Sequence, residues 1–224
     1  MSKVFLSAGH GGSDTGAVSN GTKEKDLNLS IALACRDVLV RHGVEVIMSR
    51  TKDEDDSLKE EIKECNEYAP TLAISIHNNA GGGDGAEVFH HYGGGPSKTL
   101  AENILHEIVK VGQNSRGAKI RKNQNGKDYY AFIRETSAPA VIVECAFVDN
   151  AKDLAIIDTA AEQKLMGEAI AKGILKTLNI EFVTDTNVGS KLYRVQVGAY
   201  AVKANAEDMQ KKLKAKGFDS FITT

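Results

Sequence analysis

Short apolar runs alternate with longer segments of helical periodicity over the first 180 residues of the chain. Residues 3–8, KVFLSA, form the first apolar run, and between residues 26 and 42 apolar side chains recur three and four positions apart. The first pattern is typical of a buried strand and the second of an amphipathic helix. The same criteria predict strands at 44–48, 72–76, 87–92 and 141–143, and helices at 58–68, 97–113 (with Ser97 as N-cap) and 161–178.

Strands and helices that alternate in this way predict an α/β fold. We expect a mostly parallel or mixed central sheet that is flanked by helices on both faces. Ligands of such folds bind beyond the carboxyl ends of the strands. His10, His77 and Glu144 each follow a predicted strand. We therefore expect these residues, which are far apart in sequence, to meet at one edge of the sheet.

The composition changes after Ile180. Residues 181–190 are polar and lack periodicity, which predicts a linker between a domain at 1–180 and an appendage at 191–224. The appendage has about 34 residues, too few for a self-sufficient core. It is expected to be a small C-terminal βαβ unit. Its predicted elements are the strands 192–199 and 218–223 and the helix 204–216, which is capped by Gly217.

Charge and composition argue against nucleic-acid binding, a membrane span and cysteine-based sites. With 28 basic and 30 acidic residues the formal net charge is −2, so no overall positive field attracts nucleic acid. A run of about 18 apolar residues is absent, and we expect no membrane span. The N-terminal segment lacks the features of a signal peptide, which predicts synthesis in the cytoplasm and release by another route. Three cysteines without a CxxC spacing argue against disulfides and against a cysteine-ligated metal.

Four side chains are candidates for metal-assisted chemistry, with unequal support. Glu144 follows three β-branched residues, and a carboxylate in that setting must be paired, protonated or bound to a metal. His77 emerges from an apolar strand, and His10 lies among glycines at a strand end. Taken alone, Glu24 is better explained as a carboxylate in the first turn of a helix. A catalytic zinc ion takes three such ligands, and a nearby carboxylate then moves protons.

The remaining histidines give weaker signals. His90 and His91 are adjacent, so on a strand they would point to opposite faces of the sheet. One of the two could line a cleft, but neither is predicted as a ligand.

Five blocks of sequence carry a resemblance, and they follow one another between residues 3 and about 178. The blocks are LSAGHGGSDTGA, the first glutamate of KEKDLNL, GVEVIMSRTKD, ISIHNNA followed by GAEVF, and FIRETSAPAVIVECAFVDN. In this order they resemble the zinc-dependent N-acetylmuramoyl-L-alanine amidases of the third amidase class, which include bacterial cell-wall amidases and phage endolysins.

The resemblance implies a site and a reaction. His10, Glu24 and His77 would hold one Zn²⁺ ion, and Glu144 would be the catalytic glutamate. Zinc-activated water would cleave the amide of peptidoglycan between the lactyl group of N-acetylmuramic acid and L-alanine. Glu144 would take a proton from the water and pass it to the departing alanine nitrogen.

The chain departs from the family pattern at a few positions. Glu61 stands where the family often has arginine, Cys65 where it often has alanine, and Cys145-Ala146 where it often has Thr-Gly. None of these positions carries the metal or the proton transfer, so the departures concern local packing and substrate preference.

The tail LYRVQVGAYAVKANAEDMQKKLKAKGFDSFI resembles the first half of a SPOR domain, a peptidoglycan-binding module. The resemblance implies that residues 191–224 bind the cell wall. Two alternatives stay open for the missing half. The module is shortened, or it pairs with the half-module of another copy, through which the chain self-associates.

Two other functions remain open at this point. A zinc amidohydrolase or peptidase on another substrate would need the same side chains, because metal-assisted amide hydrolysis does not define the amide. A non-catalytic wall-binding protein is the third hypothesis, and Glu144 argues against it. Two biological settings would also explain how the protein reaches the cell wall. It is an endolysin released through a phage holin, which the two-part layout favours, or an enzyme freed when a mother cell lyses.

Overall fold

The computed structural model describes residues 2–184, 196–216, 218 and 220–222. The chain divides into two compact units, residues 1–182 and 183–224. The first unit contains the sheet and six helices of the described chain, and the second contains one helix.

A six-stranded mixed sheet organises the first unit. The strand order is β4-β1-β5-β8-β6-β7; β6 runs antiparallel to β8, and the other neighbours are parallel. A short hairpin, β2–β3, lies apart from it. The strands are β1 (Lys3–Ala8), β2 (Val18–Ser19), β3 (Thr22–Lys23), β4 (Glu45–Met48), β5 (Leu72–Asn79), β6 (Ala86–His90), β7 (Ser115–Lys119) and β8 (Ala140–Phe147).

Helices cover both faces of this sheet, which confirms the predicted fold class. The long helices α1, α3 and α6 pack together on one face, and α2 and α4 cover the other. The helices are α1 (Glu24–Arg41), α2 (Leu58–Tyr68), α3 (Pro96–Lys110), α4 (Ala131–Glu135), α5 (Ala151–Leu154), α6 (Ala160–Thr177) and α7 (Lys203–Ala215).

The pleat of the strands sorts their side chains between two hydrophobic clusters. Val4, Leu6 and Ile74 are fully buried in the larger cluster beneath α1, α3 and α6. Phe5 and Ala73, one position along, are fully buried in the smaller cluster beneath α2 and α4. A large apolar side chain contributes about 1.5–3 kcal/mol when it is fully buried, so both faces stabilise the sheet.

Polar side chains interrupt the smaller cluster near the carboxyl ends of the strands. The Ser75 hydroxyl donates to the Ser7 hydroxyl at 3.1 Å across the β1–β5 pair. Glu61 of α2 is buried beside them, and burial raises the pKa of its carboxyl to about 7 although a hydrogen bond with Ser7 opposes the shift. The departure at Glu61 therefore places a buried carboxyl with a raised pKa within the sheet–helix interface.

Several elements differ from the sequence-based expectation. β5 and β8 extend to Asn79 and Phe147. His77 and Glu144 therefore lie within these strands, toward their carboxyl ends, rather than after them. The strand β7 was not predicted because SRGAK lacks apolar alternation. It lies at the edge of the sheet, where charged side chains are common.

The predicted N-cap of α3 at Ser97 is wrong. Gly95 is the N-cap, because Pro96 occupies the first helical position. The Ser97 hydroxyl lies inside the first turn, where it donates to the Gly94 carbonyl at 3.0 Å.

The second unit confirms only part of the predicted βαβ appendage. Its helix α7 forms at Lys203–Ala215, close to the predicted bounds. Residues 196–199, 218 and 220–222 form no strand, and the rest of the predicted strands and Gly217 lie outside the described residues. None of the described residues of this unit is buried. In the described chain, none of the helices has the length and apolarity that a membrane crossing requires.

Candidate metal and catalytic site

The turn after β1 brings His10 against His77 at the carboxyl end of the sheet. The two imidazole rings meet edge to face, with their centroids 5.0 Å apart. A Cβ atom at Gly9 would lie 2.1 Å from Cε1 of His77, so only glycine fits beneath that ring. His10 itself adopts a φ of 61°, which is rare outside glycine and is a form of strain that clusters at functional sites.

Glu24, the first residue of α1, lies between the two histidines. Its Oε2 is 3.2 Å from Nε2 of His10, and its Oε1 is 3.1 Å from Nδ1 of His77. One ligand atom from each of the three residues lies within 4.8 Å of the others. The structure thus brings together the three residues that the sequence suggested as ligands.

The Glu24 carboxylate is only 4% exposed, and three further donors hold it in place. The backbone N–H of Ala17 donates to Oε2 at 2.9 Å, and the N–H of Asn78 donates to Oε1 at 3.1 Å. The Asn28 side-chain amide, one turn along α1, donates to Oε1 at 3.2 Å. A Cβ at Gly16 would approach Oε2 to 2.5 Å, so this loop must also remain small.

The electrostatics of the three groups favour a cation among them. Hydrogen bonding to Glu24 raises the pKa of His10 to about 9, although burial opposes the shift. Burial works to raise the pKa of Glu24, but the two histidines outweigh it and the net shift is downward. Burial lowers the pKa of His77, yet the bond to Glu24 leaves it raised overall. The raised pKa of both imidazoles and the lowered pKa of Glu24 show that the arrangement favours positive charge next to the carboxylate.

The donor set fits zinc. Two imidazole nitrogens and one carboxylate oxygen form a set of ligands used in catalytic zinc sites. Bond lengths near 2.0–2.1 Å around tetrahedral zinc imply ligand separations of about 3.3 Å. Each histidine lies close to this distance from one oxygen of Glu24, His10 from Oε2 and His77 from Oε1. The histidine side chains remain 26% and 23% exposed, so the group is open to solvent.

Glu144 lies beside this group and outside it. It pairs with His77 across the β5–β8 ladder, so the two side chains leave the same face of adjacent strands. Burial raises the pKa of the Glu144 carboxyl to about 7, and the positive charge of His77 opposes this shift. The carboxyl stays partly exposed, as a group that meets substrate must be.

The other two candidate histidines do not join the site. His91 Nε2 lies 3.2 Å from Oδ2 of the buried Asp128, and His90 Nδ1 lies 2.9 Å from the His91 carbonyl oxygen. Both contacts serve the local structure after β6.

A family model described as N-acetylmuramoyl-L-alanine amidase matches residues 4–176, which include the whole site. The chain belongs to this family of amidases. A second family model, the SPOR domain, matches residues 164–224.

Named relatives agree with this assignment. The amidase is 35% identical over 226 residues to the sporulation-specific N-acetylmuramoyl-L-alanine amidase of Bacillus subtilis. The alignment covers 99% of this chain and 84% of the relative. It is 34% identical to the endolysin of Bacillus phage SPP1, over 81% of this chain and 68% of the relative. Among solved structures, the catalytic domain of the CwlV amidase from Bacillus (Paenibacillus) polymyxa matches with a TM-score of 0.73, 30% identity and coverage of 81% of this chain and 100% of that domain.

These matches confirm the predicted function: the protein is an N-acetylmuramoyl-L-alanine amidase that cleaves peptidoglycan. An amidohydrolase on another substrate and a non-catalytic wall-binding protein are not favoured.

Sequence reasoning missed the side chains that position the candidate ligands of the amidase. Asp14 Oδ2 lies 2.8 Å from Nδ1 of His10, and Asn28 links Glu24 to the Gly9 carbonyl, to which its amide donates at 2.9 Å. The signal for Asp14 was present, because a carboxylate four residues from a candidate ligand often orients the imidazole. Asn28 gave no comparable signal.

Arg50 fixes the backbone under the site of the amidase. It is 2% exposed, and its guanidinium donates to the carbonyls of Ala8 and Lys25 at 2.8 Å each. A weaker contact reaches the Gly9 carbonyl at 3.3 Å. Arg50 therefore ties the end of β1 to the first turn of α1, which carry His10 and Glu24.

Replacing Asp14 by alanine should weaken zinc binding. Asp14 orients the ring of His10 but is 69% exposed, so we expect a loss of about tenfold, the low end for such partners. Competition with a zinc-sensitive dye at constant pH measures the affinity. Asp37→Ala, which removes a surface carboxylate paired with Arg36, is the matched control. Equal zinc affinity in the two variants would show that Asp14 does not orient His10.

Proposed function

We propose that this amidase hydrolyses the bond between the lactyl group of N-acetylmuramic acid and L-alanine with the help of one Zn²⁺ ion. His10, Glu24 and His77 would hold the ion, and Glu144 would transfer the proton. The observation that carries the proposal is that three potential ligand atoms, one from each residue, lie within 4.8 Å of one another. Glu144 is paired with His77 on the neighbouring strand.

Each side chain has a distinct part in the reaction. When bound, zinc lowers the pKa of water and polarises the amide carbonyl. Glu144 accepts a proton from the attacking water at a carboxylate oxygen. It returns that proton to the alanine nitrogen as the carbon–nitrogen bond breaks, so the carboxylate is regenerated. Asp14 holds His10 in orientation through the ring nitrogen that faces away from Glu24, which keeps the site organised before the substrate arrives.

Glu144→Gln should abolish most of the activity without loss of metal. The amide keeps the size of the side chain but cannot accept the proton of water, and general base catalysis contributes about 10²–10⁴-fold. The assay follows new alanine amino termini released from purified peptidoglycan, together with the metal content of each protein.

Glu102→Gln on the exposed surface of α3 is the control and should behave like the wild type. Lysis at the wild-type rate by the Glu144→Gln variant would remove Glu144 from the mechanism.

We propose that the chain consists of a catalytic domain at 1–180, a linker at 181–190 and a SPOR-like wall-binding module at 191–224. The match to the SPOR model supports the last of these. Large hydrophobic side chains are exposed along the second unit, which supports self-association through it. They are Val197, Tyr200, Val202, Phe218, Phe221 and Ile222.

Deleting residues 183–224 should reduce co-sedimentation with purified cell walls. The first unit has its own core, so hydrolysis of a short soluble muropeptide should keep its rate. Sedimentation equilibrium of both chains tests self-association, which is expected only for the full chain. Unchanged wall binding after the deletion would refute the proposed role of the module.

We propose that the enzyme is made in the cytoplasm and reaches the wall when its producing cell lyses. The relative whose name ties it to sporulation aligns with 99% of this chain, which supports release by mother-cell lysis. The endolysin relative aligns with 81% and supports the phage alternative.

A further inference from the structure

A pair of cations shares one carboxylate beside the catalytic residue. Glu87 of β6 accepts from Nε of Arg116 at 2.7 Å and makes a short hydrogen bond with Nζ of Lys119, both on β7. The Asn79 amide donates to the other oxygen of Glu87 at 3.0 Å. Burial works to raise the pKa of Glu87, but the two cations outweigh it and the carboxyl is ionised. The three charged side chains form a fixed cluster. We call Arg116 and Lys119 the cation pair and Glu87 its anchor.

The anchor lies next to the reacting groups. Glu87 pairs with Glu144 across the β6–β8 ladder, as Glu144 pairs with His77 on the other side. Asn79, which holds Glu87, is two residues beyond His77 on β5. Adjacent strands are about 4.8 Å apart, so the cation pair lies about 5–10 Å from Glu144. A peptide residue spans about 3.5 Å, so a stem peptide that runs from Glu144 toward β7 would bring its second residue near the pair.

The cluster carries a positive charge that its anchor does not neutralise. Glu87 is only 8% exposed, whereas the side chains of Arg116 and Lys119 are 37% and 34% exposed. Asp84, the other carboxylate near Arg116, accepts from Asn114 at 2.8 Å and has Lys152 as a further cationic neighbour.

The surrounding sequence is also basic. Residues 115–127 contain five cations and no acidic residue, although the chain as a whole has a small negative charge. These cations are Arg116, Lys119, Arg121, Lys122 and Lys127.

We propose that Arg116 and Lys119 bind the free α-carboxylate of the stem-peptide residue that follows L-alanine, and so select substrates that carry this charge. The inference rests on the amidase reaction proposed above. The anchor fixes both donors before binding, so little side-chain freedom is lost when a carboxylate arrives. A carboxylate offers a negatively charged oxygen to each cation, whereas a carboxamide offers one neutral carbonyl oxygen and turns an NH₂ donor toward the second cation.

Two synthetic muramyl tripeptides test this assignment when they differ only in an α-carboxylate or an α-carboxamide at the second residue. We expect the wild type to favour the carboxylate by about tenfold or more in kcat/KM, mainly through KM. Arg116→Gln and Lys119→Gln should each reduce this preference severalfold, mainly by raising KM for the carboxylate substrate. Lys119→Arg, which keeps the charge, should keep the preference.

Lys122→Gln is the matched control, because Lys122 lies over the ring of Tyr92 rather than on Glu87. It should keep the wild-type preference. Equal cleavage of both substrates by the wild type, or a full preference in both glutamine variants, would overturn the inference while leaving the amidase reaction intact. Cleavage of neither substrate at the alanine amide would overturn the proposed function and the inference with it.

Discussion

The site depends on one buried carboxylate that is shared between two imidazoles. An isolated buried charge is costly, so Glu24 is stable at 4% exposure only with compensating positive charge and hydrogen-bond donors around it. Backbone N–H groups and Asn28 supply the donors, and the adjacent imidazoles of His10 and His77 lower the pKa of the carboxyl. Gly9 is required because the ring of His77 occupies the space of a side chain there.

The register of three adjacent strands aligns the candidate functional side chains in a row across the sheet. His77, Glu144 and Glu87 occupy paired positions on β5, β8 and β6, so the proposed metal ligand, the proposed proton-transferring group and the anchor of the cation pair form one row. The row lies on the face covered by α2 and α4, near the carboxyl ends of the parallel strands. A substrate that crosses the strands would meet these groups in that order.

The apolar pattern was sufficient to predict the sheet, its main helices and the covering of both faces. It could not predict β7, since an edge strand needs only one partner and tolerates polar residues such as those of SRGAK. Glu144 stood out because three β-branched residues precede it. Glu24 did not, because acidic residues are common at helix starts, and only the family resemblance distinguished it. Asn28 and Glu87 act through contacts between distant segments, which no local pattern reveals.

Metal removal tests the central claim most directly. The purified protein should contain close to one zinc ion per chain, as expected for a single three-ligand site. After dialysis against a strong chelator it should release no alanine amino termini from isolated peptidoglycan, and added Zn²⁺ should restore the release. Metal-free protein that cleaves the wall at its original rate would contradict the account.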